Sequence, residues 1–198
     1  MHSEDCPLSA ALRQDDVTPE GGKPSSLPQV YFGTGPSQIL EENGVYSVSA
    51  STFEKTVTDV ASSSSSDIIF VLQENIEMDS EGKTISFPGI EGKHVTLTSA
   101  ENNCYSIRLS SQLEGDVTLD QVELKGPKTI YACGHIFETT GNSIVSVTTL
   151  YGGGPKVQDV MGDTELILRG GTFTNVFGGG LDSAVTGSVN LSLIHISE

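Results

Sequence analysis

The polar side chains able to do chemistry in this chain recur at the spacing of a stacked fold. Asp116 and Asp163 each follow a glycine, Asn142 follows another between them, and His94 and Ser188 flank the set. If successive units stack with about 4.8 Å between strands, residues one period apart stand side by side. A column of carboxylates and amides can then contact the hydroxyls of a sugar or hold a metal. The plainer account is corner chemistry, in which Asx side chains bond the local backbone. Tyr151-Gly-Gly-Gly154 and Phe177-Gly-Gly-Gly180 lie 26 residues apart, a spacing that stacks the rings of Tyr151 and Phe177 and aligns the glycine runs. That pairing reads as an aromatic ladder beside a tight corner, or as a shallow sugar-binding strip.

Catalytic sets are harder to assemble. A polysaccharide lyase needs clustered carboxylates for calcium and an Arg or Lys base on neighbouring units, and a glycoside hydrolase needs two carboxyl groups about 5–10 Å apart. Arg108 and Arg169 are the only arginines between residues 67 and 190, and Arg169 reads as a solvated strand-end charge. Gly178-Gly-Gly-Leu-Asp182 partly echoes a calcium-binding nonapeptide but occurs once. No catalytic residue, metal site or cofactor is assigned. His135, beside Cys133, has no partner for a nucleophilic pair. The three cysteines, Cys6, Cys104 and Cys133, show neither zinc spacing nor a disulfide framework, although Cys104 and Cys133 could face each other on adjacent layers.

The elements that must position these residues are short and glycine-punctuated. Glycine followed by alternating apolar positions recurs at Gly92, Gly115, Gly141, Gly162 and Gly187, with spacings of 23, 26, 21 and 25 residues. Units this short cannot bury their own apolar face, so they must stack on neighbours. A β-sandwich wants turns every 8–12 residues or so, whereas a rung of about 24 fits a parallel β-helix. Residues 67–190 then hold about five rungs. Ahead of them, Ser51-Thr-Phe-Glu54 has the form of a capping box, and Phe53, Val57, Val60 and Ala61 make one apolar face. This predicts an amphipathic helix over 51–61, lying across the open N-terminal end of the solenoid, where an uncovered edge would invite aggregation. Residues 29–66 form the extended entry and this capping helix. Residues 1–28, rich in Pro and Gly without periodicity, read as a linker or disordered lead-in.

Composition narrows the partners. Ten Lys and Arg against 26 Asp and Glu, in 198 residues, leave a formal charge of −16. A field of that sign repels nucleic acid and anionic membrane surfaces. The longest apolar run, Asp67-Ile-Ile-Phe-Val-Leu72, is far below the roughly 20 residues that cross a bilayer, so membrane insertion is not expected of this segment.

Leu166-Ile-Leu-Arg-Gly-Gly-Thr-Phe-Thr-Asn-Val-Phe-Gly-Gly-Gly180, followed by Val185-Thr-Gly-Ser-Val-Asn190, resembles the repeats of right-handed parallel β-helices in bacterial surface and adhesin-like proteins of the pectate-lyase-like superfamily. The stretch Phe53–Glu77 is similar to the capping entry of the same domains. The resemblance implies an all-β, right-handed parallel β-helix with a short N-terminal capping helix. It also implies an extracellular or cell-surface location and a carbohydrate or host-surface partner. The superfamily contains lyases, hydrolases and non-catalytic adhesins, and the motif speaks to architecture alone. The expected function is a non-catalytic stalk or adhesin segment with glycan contact at Asp116, Asn142, Asp163, Tyr151 and Phe177. The alternative is a carbohydrate-active enzyme whose site lies on further rungs. Leu191-Ser-Leu-Ile-His-Ile-Ser-Glu198 resembles the translation of a transposase-type sequencing-library adapter, which implies that the natural chain is followed only to about residue 190.

Overall fold

The computed structural model describes residues 44–79 and 81–194. The lead-in 1–28, the first part of the extended entry (29–43), Cys6 and the last four residues lie outside that range. Seven strands build one parallel sheet: β1 (Val45–Val48), β2 (Asp67–Leu72), β3 (His94–Ser99), β5 (Asp116–Leu119), β8 (Ile136–Thr139), β10 (Thr164–Leu168) and β12 (Val189–Leu193). A second face pairs β4 (Ser106–Ile107) with β6 (Glu123–Leu124), and a third stacks β7 (Thr129–Tyr131), β9 (Ser146–Tyr151) and β11 (Thr172–Phe177). Every one of these strand pairs is parallel. The described residues form an all-β parallel β-solenoid of about six turns with one short helix, α1 (Phe53–Ala61), near its N-terminal end.

Strand formation follows from alternation. In β2, Ile68, Phe70 and Leu72 point inward while Asp67 and Ile69 face solvent, and in β3 Val95, Leu97 and Ser99 do the same. Parallel register then repeats those positions upward. One inner column runs Ile68, Val95, Val117, Phe137, Leu166, and the next runs Phe70, Leu97, Leu119, Thr139, Leu168; in register beyond them Leu191 and Leu193 are exposed on the last strand. Thr139 is the one polar member of these columns. It is fully buried, and its hydroxyl donates to the Gly170 carbonyl oxygen at 2.7 Å, which removes the penalty of an unpaired buried hydroxyl.

Successive rungs are offset by 24, 27, 22, 20, 29 and 25 residues, a mean close to the expected 24. Two features differ from the sequence expectation. The glycine series enters the wrong corner at its third member: the large sheet is entered from Gly134 into β8, whereas Gly141 leads toward β9 on the third face. Glycine marks more than one corner of each rung, so a spacing count picks glycines from different corners. The ladder also begins earlier than residue 67. Strand β1 pairs in register with β2, and α1 lies between them within the first rung.

That placement makes α1 a lid over the second rung. Phe53 is buried against Phe70 and Phe87 with ring centroids 5.7 and 5.6 Å apart, both edge-to-face, and Phe70 also meets Tyr46 and Phe87. Thr56 and Val60 are buried beside them; Ala61 is exposed. The expected capping box does not form. The helix starts at Phe53, and Thr52 at the N-cap makes no side-chain cap bond. Thr52 Oγ1 instead accepts the Ser49 N–H, and the Thr52 and Phe53 amides both donate to the Ser49 carbonyl, closing a turn that competes with the box. Past the helix, Lys93 Nζ donates to the Ser63 and Ser65 carbonyls at 2.6 and 2.7 Å, tying the serine run to the third rung. Truncating Phe70 to Ala, which empties the centre of the four-ring cluster, is expected to lower unfolding free energy by about 3–5 kcal/mol in urea titration.

Candidate functional site

The five residues singled out in the sequence do not form one site. Register runs His94 to Asp116, Val117 to Phe137 and Ile136 to Glu165, so the column above Asp116 holds Ile136 and Glu165. Asp163 falls two positions earlier. Asn142 sits at the opposite end of the strand, where its Nδ2 donates to Asp120 Oδ1 at 3.3 Å. The expected Asp116–Asn142–Asp163 column is therefore not assembled, because Asn142 belongs to the corner that Gly141 marks.

Both aspartates are engaged by backbone. Asp116 Oδ1 accepts the Ile136 N–H at 2.8 Å and Asp163 Oδ1 accepts the Ser188 N–H at 2.6 Å, each from the following rung. Asp159 does the same for Ala184, and Asn75 for Ser106. These are corners where strand pairing stops and the next rung's amide would otherwise lack an acceptor. Asp116 also has His135 Nδ1 at 3.6 Å, a neighbour that the sequence order of His135 and Cys133 gave no sign of.

The outer face of the seven-stranded sheet carries a chain of polar contacts. His94 Nε2 shares a hydrogen bond with Thr118 Oγ1 at 2.8 Å, Thr118 Oγ1 donates to Glu138 Oε2 at 3.4 Å, and Glu138 pairs with Arg169. Arg169, expected from sequence as a solvated strand-end charge, is 45% exposed and also pairs with Glu138. It reaches the carboxylate of the preceding rung, since Glu138 stands opposite Ile167, two residues before it. Under this chain Thr118 is only 7% exposed although it lies on the outward side.

The third face presents the other candidate, and here the spacing argument holds. Tyr131, Tyr151 and Phe177 stack with ring centroids 5.0 Å apart at both steps and interplanar angles of 9° and 16°. Tyr131 is the member that sequence spacing missed; it lies 20 residues before Tyr151 and is followed by Ala-Cys-Gly instead of three glycines. Phe177, at the end of the stack, is 47% exposed. Beside the ladder, Gly152 donates to the Phe177 carbonyl at 2.8 Å and Gly153 to that of Gly179 at 3.0 Å. The rungs approach so closely there that a Cβ on Gly152 would collide with the Gly178 carbonyl oxygen. The flank of the ladder is consequently closely packed backbone, with Gly152, Gly153 and Gly154 buried.

On the other flank a bulge turns hydroxyls outward. The Thr148 and Thr149 amides both donate to the Lys128 carbonyl, at 2.9 and 3.1 Å, so Val147 and Leu150 point inward with two residues between them. Thr129, Thr149 and Asn175 form a polar column in register, parallel to the aromatic one and two residues before it.

Behind the ladder, Cys133 is half-buried and its Sγ lies 3.5 Å from the Tyr131 carbonyl. Burial pushes its thiol above the usual 9.0, and the nearby Glu114 carboxylate adds to this while a backbone hydrogen bond from Leu113 opposes it. Cys104 and Cys133 are not bridged to each other. Among the described residues no group of three or more His, Cys, Asp or Glu side chains could hold a metal ion, and no helix is long and apolar enough to cross a membrane.

Fold and surface together define the class: a parallel β-solenoid with an aromatic and hydroxyl strip on one face. Comparison with protein-family models, with curated proteins and with solved structures gives no match to this chain.

Gly152→Ala is expected to lower stability by about 1–3 kcal/mol through the backbone collision, whereas Gly179→Ala, with nothing within 4 Å of the added Cβ, leaves the melting temperature unchanged. In a variant with Cys6→Ser and Cys104→Ser, alkylation of Cys133 by iodoacetamide is expected to follow a pH profile with its midpoint above 9.0. The neutral thiol is the form the fold favours. Its stabilising contribution is therefore complete below the unfolded-state value and is lost as pH rises through the folded one.

Proposed function

We propose that this chain is a non-catalytic segment of a bacterial secreted or cell-surface β-helix protein, a stalk or adhesin that contacts glycans. The assignment to right-handed adhesin-like proteins of the pectate-lyase-like superfamily is part of the proposal. It rests on the Gly-Gly-Thr-Phe and Val-Phe-Gly-Gly-Gly resemblance around residues 170–180. The observation that carries the glycan reading is the partly exposed stack Tyr131–Tyr151–Phe177 with hydroxyl side chains in register beside it. Aromatic rings and hydroxyls set on a rigid scaffold are the groups that recognise sugars with little loss of side-chain freedom. Asp116 and Asp163 support the reading less, because a carboxylate oxygen of each is already committed to a backbone amide.

A second reading, a carbohydrate-active enzyme, has one observation in its favour: the His94–Thr118–Glu138–Arg169 chain on the large sheet. Its carboxylate is held by an arginine and a threonine, an arrangement that suits structure better than proton transfer.

A glycan array probed with the purified chain tests the first reading, and reducing-end and unsaturated-product assays on the same glycans test the second. Binding without product release is the expected result, and Tyr151→Ala is expected to weaken that binding at least tenfold. Absence of binding to every bacterial, plant and host glycan overturns the glycan reading. Product release abolished by Glu138→Gln replaces it with the enzyme.

A further inference from the structure

We propose that the strip on the third face is a linear site for a neutral, unbranched polysaccharide lying along the solenoid axis, across the strands. The inference rests on the glycan reading and names its ligand class.

Charge is the first argument. The chain carries a formal charge of −16, yet Thr129-Ile-Tyr131, Ser146-Val-Thr-Thr-Leu-Tyr151 and Thr172-Phe-Thr-Asn-Val-Phe177 contain no carboxylate, ammonium, guanidinium or imidazole. The strands of the large sheet, by contrast, contain Asp67, His94, Asp116, Glu138 and Glu165. The exposed Lys128 stands just before Thr129, but a uronic acid or sulfated chain would meet no cation within these strands and would lie in the acidic field of the whole molecule. A neutral polyol meets neither obstacle.

Geometry is the second. Both ring faces of Tyr151 and one face each of Tyr131 and Phe177 are used within the stack, so the ladder shows solvent its positively polarised edges and the two phenol hydroxyls. Edges of that sign favour oxygen lone pairs over the C–H faces of a sugar. The Thr129, Thr149 and Asn175 side chains add donors and acceptors at the same rung spacing. Phe177 continues the stack above Tyr151 and adds its ring edge to the same row. The ligand so described is a chain of sugars whose hydroxyl oxygens meet successive rungs. The buried glycine corner bounds one side of this track with closely packed backbone, and the bulge at Thr148–Thr149 lines the other with hydroxyls.

The test is calorimetric titration with neutral β-1,4-linked gluco-, xylo- and mannohexaose, their di- and tetrasaccharides, and galacturonate hexamer as the anionic counterpart. At least one neutral hexamer is expected to bind, with affinity rising at least tenfold from di- to tetrasaccharide, and galacturonate hexamer is expected to bind at least tenfold more weakly. Tyr151→Phe, which keeps the ring stack, is expected to weaken the neutral hexamer about fivefold, as loss of one hydrogen bond does. Phe177→Ala is expected to weaken it further, and Thr149→Val to act like Tyr151→Phe. Glu91→Gln, at an exposed corner of the large sheet, is expected to leave it unchanged. Tighter binding of galacturonate that is still lost on Tyr151→Ala overturns the neutral class while leaving the glycan reading in place. Binding that is sensitive to Glu91→Gln and indifferent to Tyr151→Phe and Phe177→Ala moves the site off the strip and overturns the inference. No binding by any of these sugars, together with an empty glycan array, overturns both.

Discussion

Everything in this molecule depends on the parallel ladder, in which each rung takes its hydrogen bonds from the rung before it. Between strands of the large sheet the backbone supplies donors and acceptors by itself. At corners it does not, and an unpaired amide there costs about as much as a lost hydrogen bond. The chain meets this in two ways. Glycine lets backbones approach until amide meets carbonyl, as at Gly152 and Gly153. Elsewhere a short acidic or amide side chain supplies the acceptor: Glu74 for Ala50, Asn75 for Ser106, Asp116 for Ile136, Asp159 for Ala184, Asp163 for Ser188. Part of the strong acidity of the sequence is thus structural, since four of these five acceptors are carboxylates serving backbone amides.

The same ladder decides what was readable in the sequence. Period and alternation were legible because they are properties of the repeat: β3 and β5 carry their apolar residues at every second position, β2 and β10 are apolar runs whose burial alternates, and rungs near 24 residues long followed from glycine spacing. Phase was less legible. Gly134 and Gly141 lie seven residues apart on different corners, and nothing local distinguishes the glycine that enters the large sheet from the one that leaves it. Asn142 was placed in the wrong column for that reason alone. The helix was found through its apolar face, yet its start was misread, because Ser49 and Thr52 offered a tighter local turn than the box at Ser51.

Site residues divide along the same line. The stacking of Tyr151 on Phe177 was visible because each is followed by three glycines, so the match covers four residues. Tyr131 carries no such flag, and only the register of β7 against β9 brings it into the stack. Contacts that run obliquely between columns, such as Arg169 to Glu138 or His135 to Asp116, have no periodic signature at all. They depend on which rotamer reaches across a rung, which a spacing count does not hold.

Two faces of one scaffold consequently have different chemical characters. On the large sheet, charged groups face one another across rungs and satisfy each other, which leaves little unspent for a ligand. On the third face the strands hold no charge to neutralise, and hydroxyls, an amide and ring edges point outward in columns set by backbone register. A side chain fixed by its own stack loses little freedom when a ligand arrives, so recognition there is governed by how well the ligand's repeat matches the rung spacing. The ring-to-ring distance of 5.0 Å is imposed by the backbone ladder, not chosen by the rings. A ligand that follows the strip must therefore bring its own periodicity, and its freedom to flex between successive sugars is what lets an imperfect match be taken up.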